Sequence, residues 1–304
     1  MDTVPVAVIG LGGRGRYYAR MFADNPRSEL VAIADPDPKA LEMCRRHWGE
    51  SIGYYEDYLQ MLQRDDIHTV VVASPDHAHH HNAIDVLGHD RNLLLEKPMA
   101  QSIEHCDEII EAWRKAGTLF MIGLELRHCV LFERMWEIID TGAIGEIKMG
   151  TAVDNVSVGG QYFYHDRQRK KSYTRSLLLQ KGVHTIDLLN WFMGGRPTRV
   201  FAMGGLSYFG GSAPNDKRCR TCSEKDTCEF FVNHQRFVMD YGATIQKDDL
   251  CVYAGEIDLP DQHADGVPEF EDFLSHSVAV STMSGVHTRA RSARSAVRSH
   301  TLVA

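Results

Sequence analysis

The sequence predicts an α/β protein whose N-terminal half is a doubly wound parallel sheet, and three observations carry that expectation. Short apolar runs alternate with helical patterns from Val4 to Ile122, which implies parallel strands joined by right-handed crossovers. The first run, Val4 to Ile9, is followed by Gly10, Gly12 and Gly15 in the spacing G-x-G-x-x-G, and then by apolar residues at Tyr17, Tyr18, Met21 and Phe22. The second run, Leu30 to Ala34, ends in Asp35, about twenty residues beyond the last glycine.

Each glycine has a physical role in this pattern: a tight turn, close approach of the backbone to a pyrophosphate, and close packing of helix on strand. A helix beginning near Gly13 directs its N–H groups and positive end at phosphates. Gly10, Gly12, Gly13, Arg14 and Gly15 are therefore candidate dinucleotide residues in a Rossmann domain. The Asp35 carboxylate can accept hydrogen bonds from an adenosine ribose, and with no arginine adjacent to it NAD is favoured over NADP. The alternation continues. Pro38 to Trp48 has helical composition, with Pro38 in the first turn and Leu41, Cys44 and Trp48 facing inward. Thr69 to Ala73 is a β-branched strand leading into Ser74-Pro75-Asp76 and a helix over His79 to Leu87. Asn92 to Leu95 is a strand running into Glu96-Lys97-Pro98, Ile103 to Ala116 a helix burying Ile109, Ile110 and Trp113, and Leu119 to Ile122 a further strand. Loops after the carboxyl ends of such strands form the binding crevice, so the glycine turn, Asp35, Ser74-Pro75-Asp76 and Glu96-Lys97-Pro98 share one edge.

Lys97 is the most informative residue on that edge. A buried strand would hold its backbone while its ammonium projects into the crevice, with Glu96 as a possible partner. There it could hydrogen-bond a substrate hydroxyl, and partial desolvation would lower its pKa toward the range useful for proton transfer. A surface salt bridge at a strand end is the plainer alternative. In the second half, Leu131 to Thr141 reads as a helix stopping at Gly142, and Ile147 to Val153 as the opening strand of a new sheet. Leu177 to Met193 is the strongest helical pattern, with His184, Asp187, Leu188 and Trp191 on one stripe. His184 with Asp187 at i, i+3 suits a general base and its orienting acid, or a histidine simply satisfied by that aspartate.

A chain of 304 residues suits two domains, expected at 1–123 for dinucleotide binding and 124–304 for substrate binding and dimerisation. The net charge of -8 argues against a general nucleic-acid or membrane-surface partner. No apolar run is long enough to span a bilayer, the N-terminus lacks a leader pattern, and the cytoplasm is the default expectation. Seven cysteines read as reduced thiols. His77, His79, His80 and His81 would fan around a helix rather than converge on a metal. Cys219, Cys222 and Cys228 could hold a structural zinc with Cys251 or His234 as fourth ligand, the alternative being free thiols in a surface loop. After Asp272 no acidic residue occurs, and the arginine- and serine-rich run from His287 has the composition of a solvated or disordered tail beginning at about residue 285.

Taken together, GLGGRG at Gly10 to Gly15, Asp35, SPDHAH at Ser74 to His79, EKP at Glu96 to Pro98, GLELRH ending at His128 and TGAIGEI at Thr141 to Ile147 resemble the glucose-fructose oxidoreductase, inositol dehydrogenase and rhizopine-catabolism (Gfo/Idh/MocA) family. The resemblance implies a Rossmann domain followed by an α/β domain with a mostly antiparallel open sheet, NAD or NADP as cofactor, a homo-oligomer, and a sugar or polyol substrate such as a cyclitol. It implies that Lys97 contacts the reacting hydroxyl, that Ser74, Pro75, His79, Glu96, Lys97 and Arg127 border the cofactor, and that His184 stands with Lys97 at the reacting carbon. Gln180 occupies the place of the family's aspartate four residues before that histidine, which calls any lysine-aspartate-histidine relay into question. The strands that normally follow Val278 to Met283 are missing, so the second sheet and its dimer face are expected to be incomplete. Within the resemblance, the expected activity is a dehydrogenase acting on CH-OH groups; an NAD-dependent glycosidase using transient oxidation and a non-catalytic NAD-binding regulator are the alternatives.

Overall fold

The computed structural model describes residues 3–154, 165, 167–202, 209–210, 212–214, 216–232 and 251–253. Two compact units meet in sequence at Gly123 and Leu124. In the first, strands β1 (Val4–Ile9), β2 (Ser28–Ala34), β3 (Gly53–Tyr55), β4 (Thr69–Val72), β5 (Asn92–Glu96) and β6 (Phe120–Gly123) form a six-stranded sheet in the order β3-β2-β1-β4-β5-β6. Every neighbouring pair is parallel. The order reverses between β1 and β4, and ligands of such sheets bind outside the carboxyl ends of the strands at that reversal.

The apolar runs form strands because both faces of this sheet are buried. Ala7 and Ile9 of β1 point to one side, where they join Val70, Val72, Leu93 and Leu95 beneath Ala83, Val86, Leu87 and Ile109 of helices α4 (His79–Gly88) and α5 (Ile103–Ala116). Val6 and Val8 point to the other, where they join Ile33 and Val71 beneath Ala19, Leu41 and Cys44 of helices α1 (Gly13–Asp24) and α2 (Pro38–Trp48). Local signals set the helix ends. Asp37 accepts a hydrogen bond from Lys39 N at 2.9 Å with Pro38 beginning α2, and Ser102 accepts from His105 N at 3.3 Å at the start of α5. Gly117, at φ 67°, stops α5, its N–H donating to the Trp113 carbonyl.

Of the apolar residues that mark α1, Tyr17 and Met21 are 56% and 48% exposed, and the helix buries Gly15 and Ala19, with Tyr18 and Phe22 packed at their flank. Small residues face inward because Gly15 lies directly against the Gly10 carbonyl, which leaves no depth for rings. The short strand β3 and helix α3 (Tyr58–Leu62) have too few residues to show a period, and the sequence reading passed over them. Ile147 to Val153 is not a strand among the described residues, since none of them pairs with it. The antiparallel sheet, His234, the segment from Val278 to Met283 and the arginine-rich tail lie outside the described residues.

The second unit contains helices α6 (Val130–Asp140), α7 (Lys171–Thr174) and α8 (Val183–Met193), the last preceded by a π-helical turn at Leu178–Gly182. Thr141 and Gly142, at φ 74°, close α6. The single helix expected over Leu177 to Met193 is therefore divided: the π turn takes i to i+5 bonds, so Gln180 and His184 lose the stacking that four residues give on an α-helix. Helices α6 and α8 meet through Trp136 stacked on Trp191 at 5.9 Å and Phe132 beside Phe192 at 6.3 Å. Among the described residues no helix is long and apolar enough to cross a membrane.

Burial predicts two different outcomes on α5. Ile109→Ala, at a position with no exposed surface, is expected to cost about 2–5 kcal/mol, while Ile103→Ala, 71% exposed, stays within about 0.5 kcal/mol in urea or thermal unfolding.

Candidate functional site

The glycine turn lies at the reversal point of the sheet and its three glycines meet three different surroundings. Gly10 has φ +91°, and a Cβ there would stand 2.7 Å from the Ala73 carbonyl oxygen and from Ser74 N. A Cβ on Gly15 would stand 1.7 Å from the Gly10 carbonyl oxygen. Around Gly12 nothing lies within 4 Å of that position. So Gly10 makes the turn, Gly15 brings α1 down onto it, and Gly12 leaves its outer side open for a phosphate to approach the backbone. Gly12 precedes α1 and offers no side-chain cap, and no acidic residue occupies the first turn at Gly13 and Arg14. A pyrophosphate fits such a cradle, with the helix dipole favouring its charge.

Asp35 stands at the end of β2, where its Oδ2 accepts from Leu11 N at 2.6 Å and its Oδ1 from Asp37 N at 2.8 Å. These bonds fix the carboxylate against the glycine turn and leave lone pairs on both oxygens for ribose hydroxyls. On the neighbouring loop, Ser74 Oγ donates to Asn82 Oδ1 at 2.6 Å and Pro75 begins the turn into α4 in extended conformation. His79 is 1% exposed, with Nδ1 2.6 Å from the Pro98 carbonyl and Nε2 2.9 Å from the Ser74 carbonyl. The ring is enclosed between the carbonyls of two loops, the one after β4 and the one after β5. Burial pushes its pKa below the ordinary histidine value, the two carbonyls push it back up, and the charge of Lys97 lowers it further.

Glu96, at the end of β5, is also buried. Its Oε1 accepts from Tyr18 Oη at 2.9 Å and pairs with Arg14 Nε at 3.1 Å, and its Oε2 accepts from the Lys97 backbone N at 3.1 Å. The carboxylate thus holds the lysine's main chain and ties it to α1. Lys97 is half-buried and joined to Pro98 by a cis peptide bond.

The second unit supplies a different pairing from the one expected. Asp187 does not orient His184: its Oδ2 accepts from Arg127 Nε at 2.7 Å and its Oδ1 from Arg127 Nη2 at 2.6 Å. Arg127 lies over the Trp191 ring at 5.4 Å, so its guanidinium is held on two sides. The bidentate, charge-assisted geometry outcompetes an imidazole for the same carboxylate. His184 instead faces Glu125, with Nε2 3.7 Å from Oε2, and its side chain is 13% exposed. Glu125 was not singled out from the sequence, although it lies in GLELRH two residues before Arg127; no local spacing connects it to His184. Gln180 is buried in the π turn, its N–H donating to the Ser176 carbonyl at 3.0 Å.

Cys219, Cys222, Cys228 and Cys251 line one recess with His165, Lys225 and Phe230, and Cys219 Sγ lies 3.8 Å from His165 Nδ1. All seven cysteines are free thiols. Among the described residues, no group of three or more histidine, cysteine or acidic side chains could hold a metal ion, and the candidate fourth ligand His234 lies outside them. The histidine run is likewise spread out, with His80 paired to Glu108 at 2.6 Å and stacked on His105.

Residues 4–124 match a family model described as "Oxidoreductase family, NAD-binding Rossmann fold", and residues 132–233 match the "GFO/IDH/MocA C-terminal domain". The putative oxidoreductase YteT of Bacillus subtilis is 26% identical over 286 residues, covering 83% of this chain and 65% of the relative. A 2,7-anhydro-N-acetylneuraminate hydratase of Mediterraneibacter gnavus is 26% identical over 230 residues, covering 71% and 56%. Among solved structures, myo-inositol 2-dehydrogenase from Lactobacillus plantarum superposes with a TM-score of 0.61 at 25% identity, covering 67% of this chain and 60% of that one. The chain thus spans between about half and two thirds of the length of these proteins.

The glycine environments predict separable effects on binding and stability. Gly15→Ala should lose about 3 kcal/mol or more, because helix and turn must part. Gly12→Ala should keep its melting temperature while weakening NAD binding by about tenfold or more, about 1.4 kcal/mol, in a fluorescence titration.

Proposed function

Because the chain belongs to the Gfo/Idh/MocA oxidoreductase family and carries its NAD-binding Rossmann fold, we propose that it transfers hydride between a carbinol carbon of a sugar, cyclitol or sugar derivative and a nicotinamide. The observation that carries this reading is the glycine cradle at the sheet's reversal point, fixed on one side to Asp35 and on the other to the loop before α4. In this reading Gly10, Gly12, Gly13, Arg14 and Gly15 receive the pyrophosphate, Asp35 the adenosine ribose, and Ser74, Pro75 and Lys97 the nicotinamide end. Residues 1–123 form the cofactor domain and residues 124–304 the substrate and dimerisation domain, the latter with a mostly antiparallel sheet. NAD, when bound, supplies the hydride acceptor.

The chain's own residues supply positioning and proton transfer. Lys97 holds the reacting hydroxyl, and His184 accepts its proton. Glu125, rather than Asp187, is the carboxylate that faces and steadies the imidazole. Asp187 anchors Arg127 and so fixes α8 against the turn at Glu125–His128. With Gln180 in place of an aspartate, proton removal on this chain uses His184 with Glu125.

A second reading is favoured by one relative, whose name describes net hydration of an anhydro sugar. The same residues would then serve transient oxidation followed by elimination or addition, with the hydride returned. A panel of sugars, inositols and sugar acids followed at the NADH absorbance separates the two: net NADH supports the dehydrogenase, whereas product formation without NADH supports the redox-neutral reaction. Lys97→Ala is expected to lower kcat/KM by about 10²–10⁴-fold with NAD affinity near its original value, and unchanged turnover would remove Lys97 from the reaction.

Glu125→Gln and Asp187→Asn should divide in the same way. The first is expected to lower kcat by about 10²-fold at unchanged melting temperature. The second should cost about 1.5–3 kcal/mol of stability, because it discharges the partner of a half-buried guanidinium. Equal kcat in Glu125→Gln and the unmodified protein would return the orienting role to another group.

A further inference from the structure

We propose that His79 is a positioning residue for Lys97: its buried imidazole fastens the Lys97–Pro98 turn to the loop after β4, and through that loop to the glycine turn. This inference rests on the reading of Lys97 as the residue that holds the reacting hydroxyl. The ring stands between two carbonyl oxygens from different loops, Pro98 at 2.6 Å and Ser74 at 2.9 Å. Ser74 is in turn held by its hydroxyl on Asn82, and its N–H lies against Gly10, where even a Cβ would approach to 2.7 Å. A continuous series of contacts therefore runs from the phosphate-binding turn through Ser74 and His79 to the peptide that carries Lys97. The second tie is independent, running from Arg14 and Tyr18 through Glu96 to the Lys97 backbone N. Two fixed points, one on each side of Lys97, hold its backbone in place.

The two ring nitrogens diverge across a rigid five-membered ring, so one side chain reaches the carbonyls of both loops. At 1% exposure the ring has no room to serve as a surface acid or base. A neutral ring carries one N–H and donates to one carbonyl, and protonation allows it to donate to both. The charged groups facing it are Lys97 and His77, and both oppose that protonation.

The test is the reactivity of the Lys97 amine, which needs no turnover. The full-length protein and its His79→Gln and His79→Asn variants are labelled with an amine-reactive reagent across pH, and peptides are quantified by mass spectrometry. The expected result is a change of at least about threefold in the Lys97 labelling rate, with Lys39 and Lys115 unaltered as internal controls and NAD affinity within about threefold. Where a polyol substrate is found, kcat should fall by about 10²-fold with little change in substrate KM, the loss expected from a misplacement of about 1 Å. A folded variant with the wild-type labelling rate at Lys97 overturns the proposal, whether or not any polyol is turned over. If neither variant folds, hydrogen exchange at the imidazole C2 position of the unmodified protein decides. Exchange much slower at His79 than at exposed histidines supports the fastening, and equal exchange overturns it. Loss of the family activity in the unmodified protein, with Lys97 labelling still responsive to His79, would instead count against the proposed reaction alone.

Discussion

The close approach of Gly15 to the Gly10 carbonyl, where a Cβ would stand 1.7 Å from the oxygen, is the constraint on which the rest depends. A side chain at Gly15 would lift α1 from the glycine turn, and with it Arg14 and Tyr18, which reach Glu96. The same approach presses Gly10 against Ala73 and Ser74, so the ends of β1 and β4 are held at one separation. That separation sits where the strand order reverses, and it fixes the mouth into which a dinucleotide can be placed. Packing thus decides the electrostatics here: the carboxylates of Asp35 and Glu96 are held by backbone N–H groups because the turns they face cannot move away.

Much of the first unit was legible because its elements repeat their signal. Helices α2 and α5 run over the residues their composition marks, since Pro38 with Asp37, Ser102 and Gly117 are local start and stop signals that need no tertiary information. Strands β1, β2, β4 and β5 were legible as apolar runs because a parallel sheet buries both faces. β3 was not, because three half-buried residues carry no period; it forms by pairing with β2, a contact distant in sequence. The inward face of α1 was not legible either, for a related reason. Periodicity weighs size and hydropathy, whereas the actual face is chosen by how close two backbones must come.

The candidate site divides along the same line. Glycine spacing, Asp35 and the residues of the Glu96-Lys97-Pro98 turn were visible as motifs because each acts through its own position on the chain. Partners were not visible. Glu96 appeared as a possible partner of Lys97, and it binds the Lys97 backbone N–H, a contact no motif announces. His79 appeared as a residue bordering the cofactor, and its buried ring stands between two carbonyls that sequence cannot bring together.

Helix spacing illustrates why partner choice escapes a one-dimensional reading. His184 and Asp187 are neighbours on α8, which makes their pairing possible at a cost of a few tenths of a kcal/mol either way. Arg127 enters from outside the helix with a planar fork matched to a carboxylate, and two charge-assisted bonds at 2.6 and 2.7 Å are worth several times as much. Trp191, one turn farther along the same helix, supplies the face on which that guanidinium rests. The helix therefore presents Asp187 and Trp191 as one receptor for Arg127, and His184 is left to the carboxylate that the same short turn carries, Glu125. One three-residue stretch, Glu125 to Arg127, in this way both anchors α8 and furnishes the acid that faces its histidine.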